Sequence, residues 1–182
     1  MTEPPVLRAE PIRTLRLQLE PLRAEHADEA AAAFDDVALH AFMGGSPASA
    51  AQLRERYARQ ALGHSPDGTE GWANWMLRCT ASGELIGTVQ ATVSPAGAGA
   101  RSADQGPSAE LAWVLAASHQ GQGYAREAAT AMATWLRQRG VATLIAHIHP
   151  EHAASAGVAR AVGLRRTDAI VDGEERWDGG RA

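Results

Sequence analysis

Leu15, Leu17 and Leu19 alternate with Arg16, Gln18 and Glu20, and alternation with period two predicts a strand with one face in water. Pro21 closes it. Residues 24–35 are alanine-rich with early acidic residues, and residues 49–62 run up to Gly63; both stretches predict helices. A turn-rich loop, Met43-Gly44-Gly45-Ser46-Pro47, separates them. The β-rich segments 75–80 and 85–93 flank Ala81-Ser82-Gly83-Glu84 and predict a hairpin. A further strand is expected at 109–115. Over residues 124–139, Tyr124, Ala128, Met132, Trp135 and Leu136 form one apolar stripe, which predicts a helix stopped by Gly140. A strand at 143–149, a helix at 151–162 closed by Gly163, and a hairpin at 165–177 turning at Asp172-Gly173 complete the pattern.

The strands on either side of helix 124–139 must run parallel, because a crossover connects them. Joined to the antiparallel segments before them, they make a mixed α/β sheet, without internal repeats. Pro4, Pro5 and Pro11 with scattered charges mark residues 1–13 as a flexible leader outside the fold. Residues 14–182 then form a single domain, the usual size for one core. The Pro/Gly/Ala/Ser-rich stretch 94–108 is long for a compact domain and reads as a flap or an excursion.

Composition narrows the chemistry. Hydrophobic residues at 45% and charged residues at 21% describe an ordinary globular protein. A formal charge of −4 gives no basic excess for a nucleic-acid backbone. The chain has no lysine, which excludes Schiff-base catalysis and the Lys-Ser/Thr pair of a P-loop. Cys79 lies in an apolar strand and reads as a buried, inert thiol. With no signal-peptide pattern and no run of ~20 apolar residues, a soluble, cytoplasmic setting is expected and a membrane partner is not.

The stretch from Ser118 to Ala125 joins a strand to a helix and carries Gly121 and Gly123. Such glycines let backbone amides approach an anion, and the helix adds the positive end of its dipole. Arg126, a cation in the first turn, opposes the dipole unless an anion binds there. The other reading of the same residues is a tight turn before a core helix. A dinucleotide fingerprint is excluded, since it wants a third glycine where Arg126 stands.

Gln120-Gly121-Gln122-Gly123-Tyr124-Ala125 resembles the pyrophosphate loop of the GNAT N-acetyltransferases, Arg/Gln-x-x-Gly-x-Gly/Ala, following a strand and opening a helix. Residues 109–115 resemble that superfamily's fourth strand, and 151–164 its later helix ending in Gly-Leu. The similarity covers 14–177 and is nearest to the branch with the ribosomal-protein N-terminal acetyltransferases. It implies a GNAT fold: a six- or seven-stranded mixed sheet, an antiparallel N-terminal half, a splayed parallel pair in the centre and about four flanking helices. Acetyl-CoA would be the co-substrate, its pantetheine between 109–115 and 143–149 on the amides near Val114 and Leu115. Gln120, Gly121, Gln122, Gly123, Tyr124 and Ala125 would hold pyrophosphate, with Arg126 beside them.

By the same resemblance, Glu110 occupies the position of a catalytic glutamate that removes a proton from the acceptor amine. Ser155 matches a serine able to contact the cofactor or protonate the leaving thiolate through water. His152 stands where the family often has a pantetheine-binding asparagine, and Ala159 where many members have a tyrosine acid. The implied reaction is direct attack by a primary amine, of a protein N-terminus or a small molecule, in a ternary complex; the protein is expected as a monomer or homodimer. The departures at His152 and Ala159 leave open a domain that binds or senses acyl-CoA without turnover. His147, His149 and His152 also resemble a metal cluster, which keeps a metal hydrolase as a third reading, although the downstream ligands such an enzyme needs are missing and no metal is expected. Acceptor contacts are expected from Asp35, Asp36, His40, Phe42, Trp72 and Trp75.

Overall fold

Strand β1 (Ile12–Arg13) pairs antiparallel with β2 (Leu17–Pro21) in the computed structural model, which describes residues 7–36, 39, 46–96 and 106–180. Leu17 and Leu19 are fully buried, as their alternation predicts, but Leu15 is 91% exposed. The chain turns before β2 begins: Thr14 N–H donates to Leu17 C=O at 3.0 Å, and Leu17 N–H returns a bond to Thr14 Oγ1 at 3.0 Å. Leu15 sits on that turn, where the period-two pattern no longer applies.

Residues 7–13, expected in a flexible leader, lie against the sheet. Leu7, Ala9 and Ile12 pack on the main core, Trp75 Nε1 donates to Glu10 C=O at 2.7 Å, and the Glu10 carboxylate pairs with Arg139. A buried indole N–H needs an acceptor, and this segment supplies it. Strand β1 also raises the sheet to eight strands, against the six or seven expected.

The remaining strands are β3 (Gly71–Cys79), β4 (Leu85–Ser94), β5 (Ser108–Leu115), β6 (Thr143–Ile148), β7 (Arg165–Val171) and β8 (Glu174–Gly179), in the order β1-β2-β3-β4-β5-β6-β8-β7. Among the described residues only β5 and β6 pair in parallel, joined by the crossover that the pattern predicts. Strand β3 starts earlier than residue 75, because Trp72, Ala73 and Asn74 continue the ladder opposite Thr92, Ala91 and Gln90.

Four α-helices flank the sheet among the described residues: α1 (Ala27–Ala33), α2 (Ala50–Gln60), α3 (Tyr124–Gln138) and α4 (Ala153–Ala161). The expected helix at 24–35 is shorter, since Ala24–His26 form a 3-10 turn. Ser49 opens α2 by accepting Gln52 N–H while Gln52 reaches back to Ser49 N–H, a reciprocal cap. Helix α3 buries Ala128, Met132, Trp135 and Leu136 against the sheet, where Trp135 meets Trp75 edge-on at 5.1 Å between ring centroids. Helices α1 and α2 form a smaller core with Leu22, Met76 and Leu85.

Candidate functional site

Strands β4 and β5 are paired at eight positions, from Gly87↔Leu115 to Ser94↔Ser108, whereas β5 and β6 are paired at only three, from Ser108↔Thr143 to Glu110↔Ile145. Beyond Glu110 the two parallel strands part. Ala116 N–H donates to Ile86 C=O in β4, and Pro107 C=O accepts Ala142 N–H and Thr143 N–H from the β6 side. Because backbone groups alternate in direction along a strand, even positions of β5 address β4 and odd positions address β6. Trp113 and Leu115 therefore present main-chain groups to the gap. Val114, expected to do so, exchanges its bonds with Thr88 instead.

The gap opens into a cleft of about 1080 Å³. Of the site residues expected from the sequence, Glu110, Val114, Leu115, Gln120, Gly121, Gly123, Ala125, Arg126, His152 and Ser155 border it, while Gln122 and Tyr124 do not. Gln120 bonds protein, its Nε2 donating to Leu115 C=O at 3.1 Å and so tying the loop to the end of β5. Gly121 and Gly123 have φ of +75° and +82°, a conformation that costs other residues roughly 1–2 kcal/mol. The first helical bond of α3 is Glu127 N–H to Gly123 C=O at 3.1 Å. The amides of Tyr124, Ala125 and Arg126 precede it and have no intrahelical acceptor.

The loop is braced from behind. Arg16 donates through Nη1 to Gln122 C=O at 3.0 Å, lies 4.3 Å over the Tyr124 ring, and bonds Glu127 Oε2 through Nε at 2.7 Å. Thr14 Oγ1 and Arg16 N–H also donate to Glu127 Oε1, at 2.6 and 2.8 Å. Burial alone raises the Glu127 carboxyl, but these donors overcome it and lower its pKa. The acid in the first turn of α3 is thus spent on Arg16 and Thr14 and does not border the cleft. Among the described residues the amides of Tyr124, Ala125 and Arg126 have no main-chain acceptor, and the β6 side of β5 has no strand partner beyond Glu110. Those features suit a pantetheine arm ending in a diphosphate.

Glu110 and His147 face each other where the strands part. His147 Nδ1 is 2.9 Å from Glu110 Oε1, with the imidazole side chain 17% and the carboxylate side chain 55% exposed. A carboxylate only accepts, so the proton of this hydrogen bond sits on Nδ1. Nε2 is buried without a hydrogen-bond partner among the described residues, a state that costs about 1–3 kcal/mol in a folded protein. The pairing of Glu110 with Ile145 places residue 147 on the face of residue 110, whereas in the sequence His147 reads only as part of a histidine cluster.

On the other wall, Ser155 Oγ accepts Trp113 Nε1–H at 3.3 Å, which leaves its own proton to donate. His152 caps α4, its Nδ1 accepting Ser155 N–H at 3.4 Å, and burial, followed by the charge of His149, lowers its pKa. Ala159 is fully buried in the core. His149 Nδ1 accepts Glu151 N–H at 3.2 Å, so the three histidines each use Nδ1 on a different partner. Among the described residues no three metal-ligating side chains come together.

The far end of the cleft differs from expectation. Trp75 is a core residue, and neither Trp72, Asp35 nor Asp36 borders the cleft; His40 and Phe42 lie outside the described residues. Asn74, Thr88 and Gln90 on the sheet and Arg56, Tyr57 and Gln60 on α2 take their place. Burial, against a smaller opposing effect of Arg56, pushes the Tyr57 phenol up to about 12. It remains a neutral donor at physiological pH.

Residues 16–165 match the family model described as an acetyltransferase (GNAT) domain. Among solved structures, the ribosomal L7/L12 α-N-protein acetyltransferase RimL in complex with coenzyme A superposes with a TM-score of 0.74 at 17% identity, over 94% of this chain and 98% of that one. An acetyltransferase from Agrobacterium tumefaciens gives 0.71 at 23% identity, over 96% of each chain. The aminoglycoside acetyltransferase AAC(6')-Ib in complex with coenzyme A gives 0.70 at 16% identity, over 91% and 95%. No curated protein sequence matches the chain.

Proposed function

Because the chain belongs to the GNAT acetyltransferase family, we propose that it moves the acetyl group of acetyl-CoA to a primary amine, on a protein N-terminus or a small molecule, by direct attack with both substrates bound. The observation that carries this reading is the one-sided pairing of β5, which leaves the main chain of Trp113 and Leu115 facing the cleft. Those groups hold the pantetheine, and a donor among them polarises the thioester carbonyl. The amides of Tyr124, Ala125 and Arg126, freed by Gly121 and Gly123, hold the diphosphate with the Arg126 side chain. Glu110 serves proton removal from the amine, and Ser155 is placed to donate its hydroxyl proton toward the leaving sulfur. The acceptor enters past Asn74, Gln90 and Tyr57. Acetyl-CoA is a metabolite of the cell interior, and no helix among the described residues is long and apolar enough to cross a membrane; the reading places the reaction in the cytoplasm.

Melting with and without ligand tests it. At a hundredfold excess over Kd, acetyl-CoA contributes about 2.7 kcal/mol, which for a chain of this size raises Tm by about 5–10 °C. ATP and NAD are expected to do far less, and equal protection by either contradicts the proposal. A thiol-release screen over peptide N-termini, aminoglycosides and polyamines then identifies the acceptor. The buried Ala159, where an acid is common in the family, favours a second reading as a non-catalytic acyl-CoA-binding domain. Tight binding with no thiol release on any amine supports that reading, and one efficient acceptor removes it.

A further inference from the structure

We infer that Asn74 and Tyr57 read the acceptor, selecting an amine whose neighbouring group is an uncharged amide over a polycation or a free amino acid. The inference rests on the acetyltransfer reading above and narrows the acceptor class of the same site.

Two polar side chains at the far end of the cleft lack partners. Asn74 is 7% and Tyr57 6% exposed, both border the cleft, and no hydrogen bond joins the amide or the hydroxyl to a described residue. The unpartnered side-chain atoms sealed from solvent are His147 Nε2 and Trp177 Nε1 among the described residues, so the polar atoms of Asn74 and Tyr57 keep accessible surface. A buried polar group without a partner is costly, and a matching ligand group removes that cost. A primary amide and a phenol can each donate and accept. An amide in the ligand, with a C=O and an N–H, complements both.

The sheet register puts this pair beside Glu110. Asn74 is paired with Gln90, Gln90 with Ala112, and Thr92 with Glu110. Cross-strand partners and residues two apart on a strand share a face, so Asn74, Gln90 and Glu110 stand on one face of the sheet. The row of Asn74 and Gln90 is about 7 Å along the strands from the row of Glu110. Side chains so spaced hold an amine at one end and its adjoining amide at the other. Tyr57 comes from α2 and shares the smaller core with Met76, which lies two residues past Asn74 on the same face of β3.

Charge at this end disfavours a second cation. Among the described residues only Glu110 and Glu174 are acids on the cleft, and Glu174 is on β8, beyond β6 from this wall. Residues 37–45 add no Asp or Glu. The charge that α2 brings to the cleft is Arg56, which repels an ammonium. Arg56 is exposed, so its pull on a carboxylate is screened by salt, whereas Asn74 and Tyr57 act out of water.

Thiol release by the full chain with acetyl-CoA tests this. Alaninamide and trialanine amide are expected to give kcat/KM at least about tenfold above alanine and spermidine; a higher value for either of those two overturns the inference. A tripeptide far ahead of alaninamide supports it with a chain terminus as the source of the amide, and parity supports it with a small molecule. For the residues, 2-methoxyethylamine is the reference, an ether standing where the amide would. Tyr57→Phe and Asn74→Ala are each expected to lower the alaninamide-to-methoxyethylamine ratio of kcat/KM by about five- to twentyfold, whereas a packing defect slows both amines alike. A ratio within twofold of wild type in either variant overturns the assignment, and Tyr57→Phe, which removes a single oxygen, decides it if Asn74→Ala does not fold. Release with spermidine or alanine ahead leaves the acetyltransfer reading intact and removes only this inference. Protein that binds no acetyl-CoA removes both, and binding without release on either amide overturns the inference.

Discussion

Along one edge of β5 every position from Ser108 to Leu115 has a partner in β4, while along the other the pairing stops at Glu110. The residues are the same; only the direction of their backbone groups differs. On the closed edge the ladder leaves nothing for a ligand, and Gly87 lets β4 and β5 approach so closely that an added Cβ would lie 2.6 Å from Val114 C=O. On the open edge the main chain of Trp113 and the Leu115 N–H have no strand partner among the described residues, Leu115 C=O being taken by Gln120 Nε2, and the loop that follows adds the first amides of α3.

The imidazoles on the two sides follow the same division. His26, beside the closed half, is 3% exposed with both nitrogens engaged: Nδ1 accepts Arg23 N–H at 3.1 Å and Nε2 faces Glu20 Oε2 at 3.1 Å. His147, beside the open half, has one nitrogen engaged and one without a partner among the described residues.

The contrast is broken most severely at the loop. Gly123→Val puts a β-branched residue at φ +82°, with its Cβ 3.5 Å from Arg16 Nη2, and is expected to weaken acetyl-CoA binding at least 100-fold by calorimetry. Gly83→Ala, at φ +76° in the β3–β4 turn with open space around it, carries a similar backbone penalty of roughly 1–2 kcal/mol and is expected to leave binding unchanged. Equal affinities for both variants contradict the role of the loop. A smaller effect is expected for Glu127→Ala, which frees Arg16 and Thr14. Loss of those charge-assisted bonds should cost about 1–3 kcal/mol of stability in chemical denaturation and weaken acetyl-CoA several-fold; an unchanged Kd shows that the brace does not shape the loop.

The smallest effect belongs to the closed half and is read by pH. The hydrogen bond from Arg78 lowers Glu20 and Glu29 despite their partial burial, and burial followed by the charge of Arg23 lowers His26. All three groups lose protons more readily in the folded state, so stability rises with pH. The His26 contribution is complete above 6.5 and lost as pH falls through the lowered folded value; the two carboxylates contribute fully above 4.5 and are lost below it. Tm is therefore expected to fall from pH 7 to pH 4 by a few degrees, and His26→Gln should flatten the upper part of that curve. A Tm that rises on acidification contradicts the sign.

Short-range signals in the sequence were reliable here because the structure satisfies them locally. The stripe of α3, the cap of α2, the turn at Asp172-Gly173 and the glycines at 121 and 123 all stand where periodicity and turn chemistry put them. What escaped depends on partners distant in sequence. Residues 7–13 are held by Trp75, Trp135 and Arg139, and nothing in Pro4, Pro5 and Pro11 announces those partners. Leu15 fits an alternation that a turn at Thr14 interrupts. Trp72 and Trp75 look like acceptor contacts until burial shows Trp75 in the core, while Asn74 between them reaches the cleft. The His147–Glu110 pair needs the β5–β6 register, which the sequence order alone does not fix.

Residue-resolved amide exchange with and without acetyl-CoA tests the central claim most directly. The account predicts slowed exchange at Trp113, Leu115, Tyr124, Ala125 and Arg126, with little change at Ala112 and Val114, whose amides already pair with β4. Slowing that ignores this alternation along β5, or that leaves residues 124–126 unaffected while another surface is protected, contradicts it.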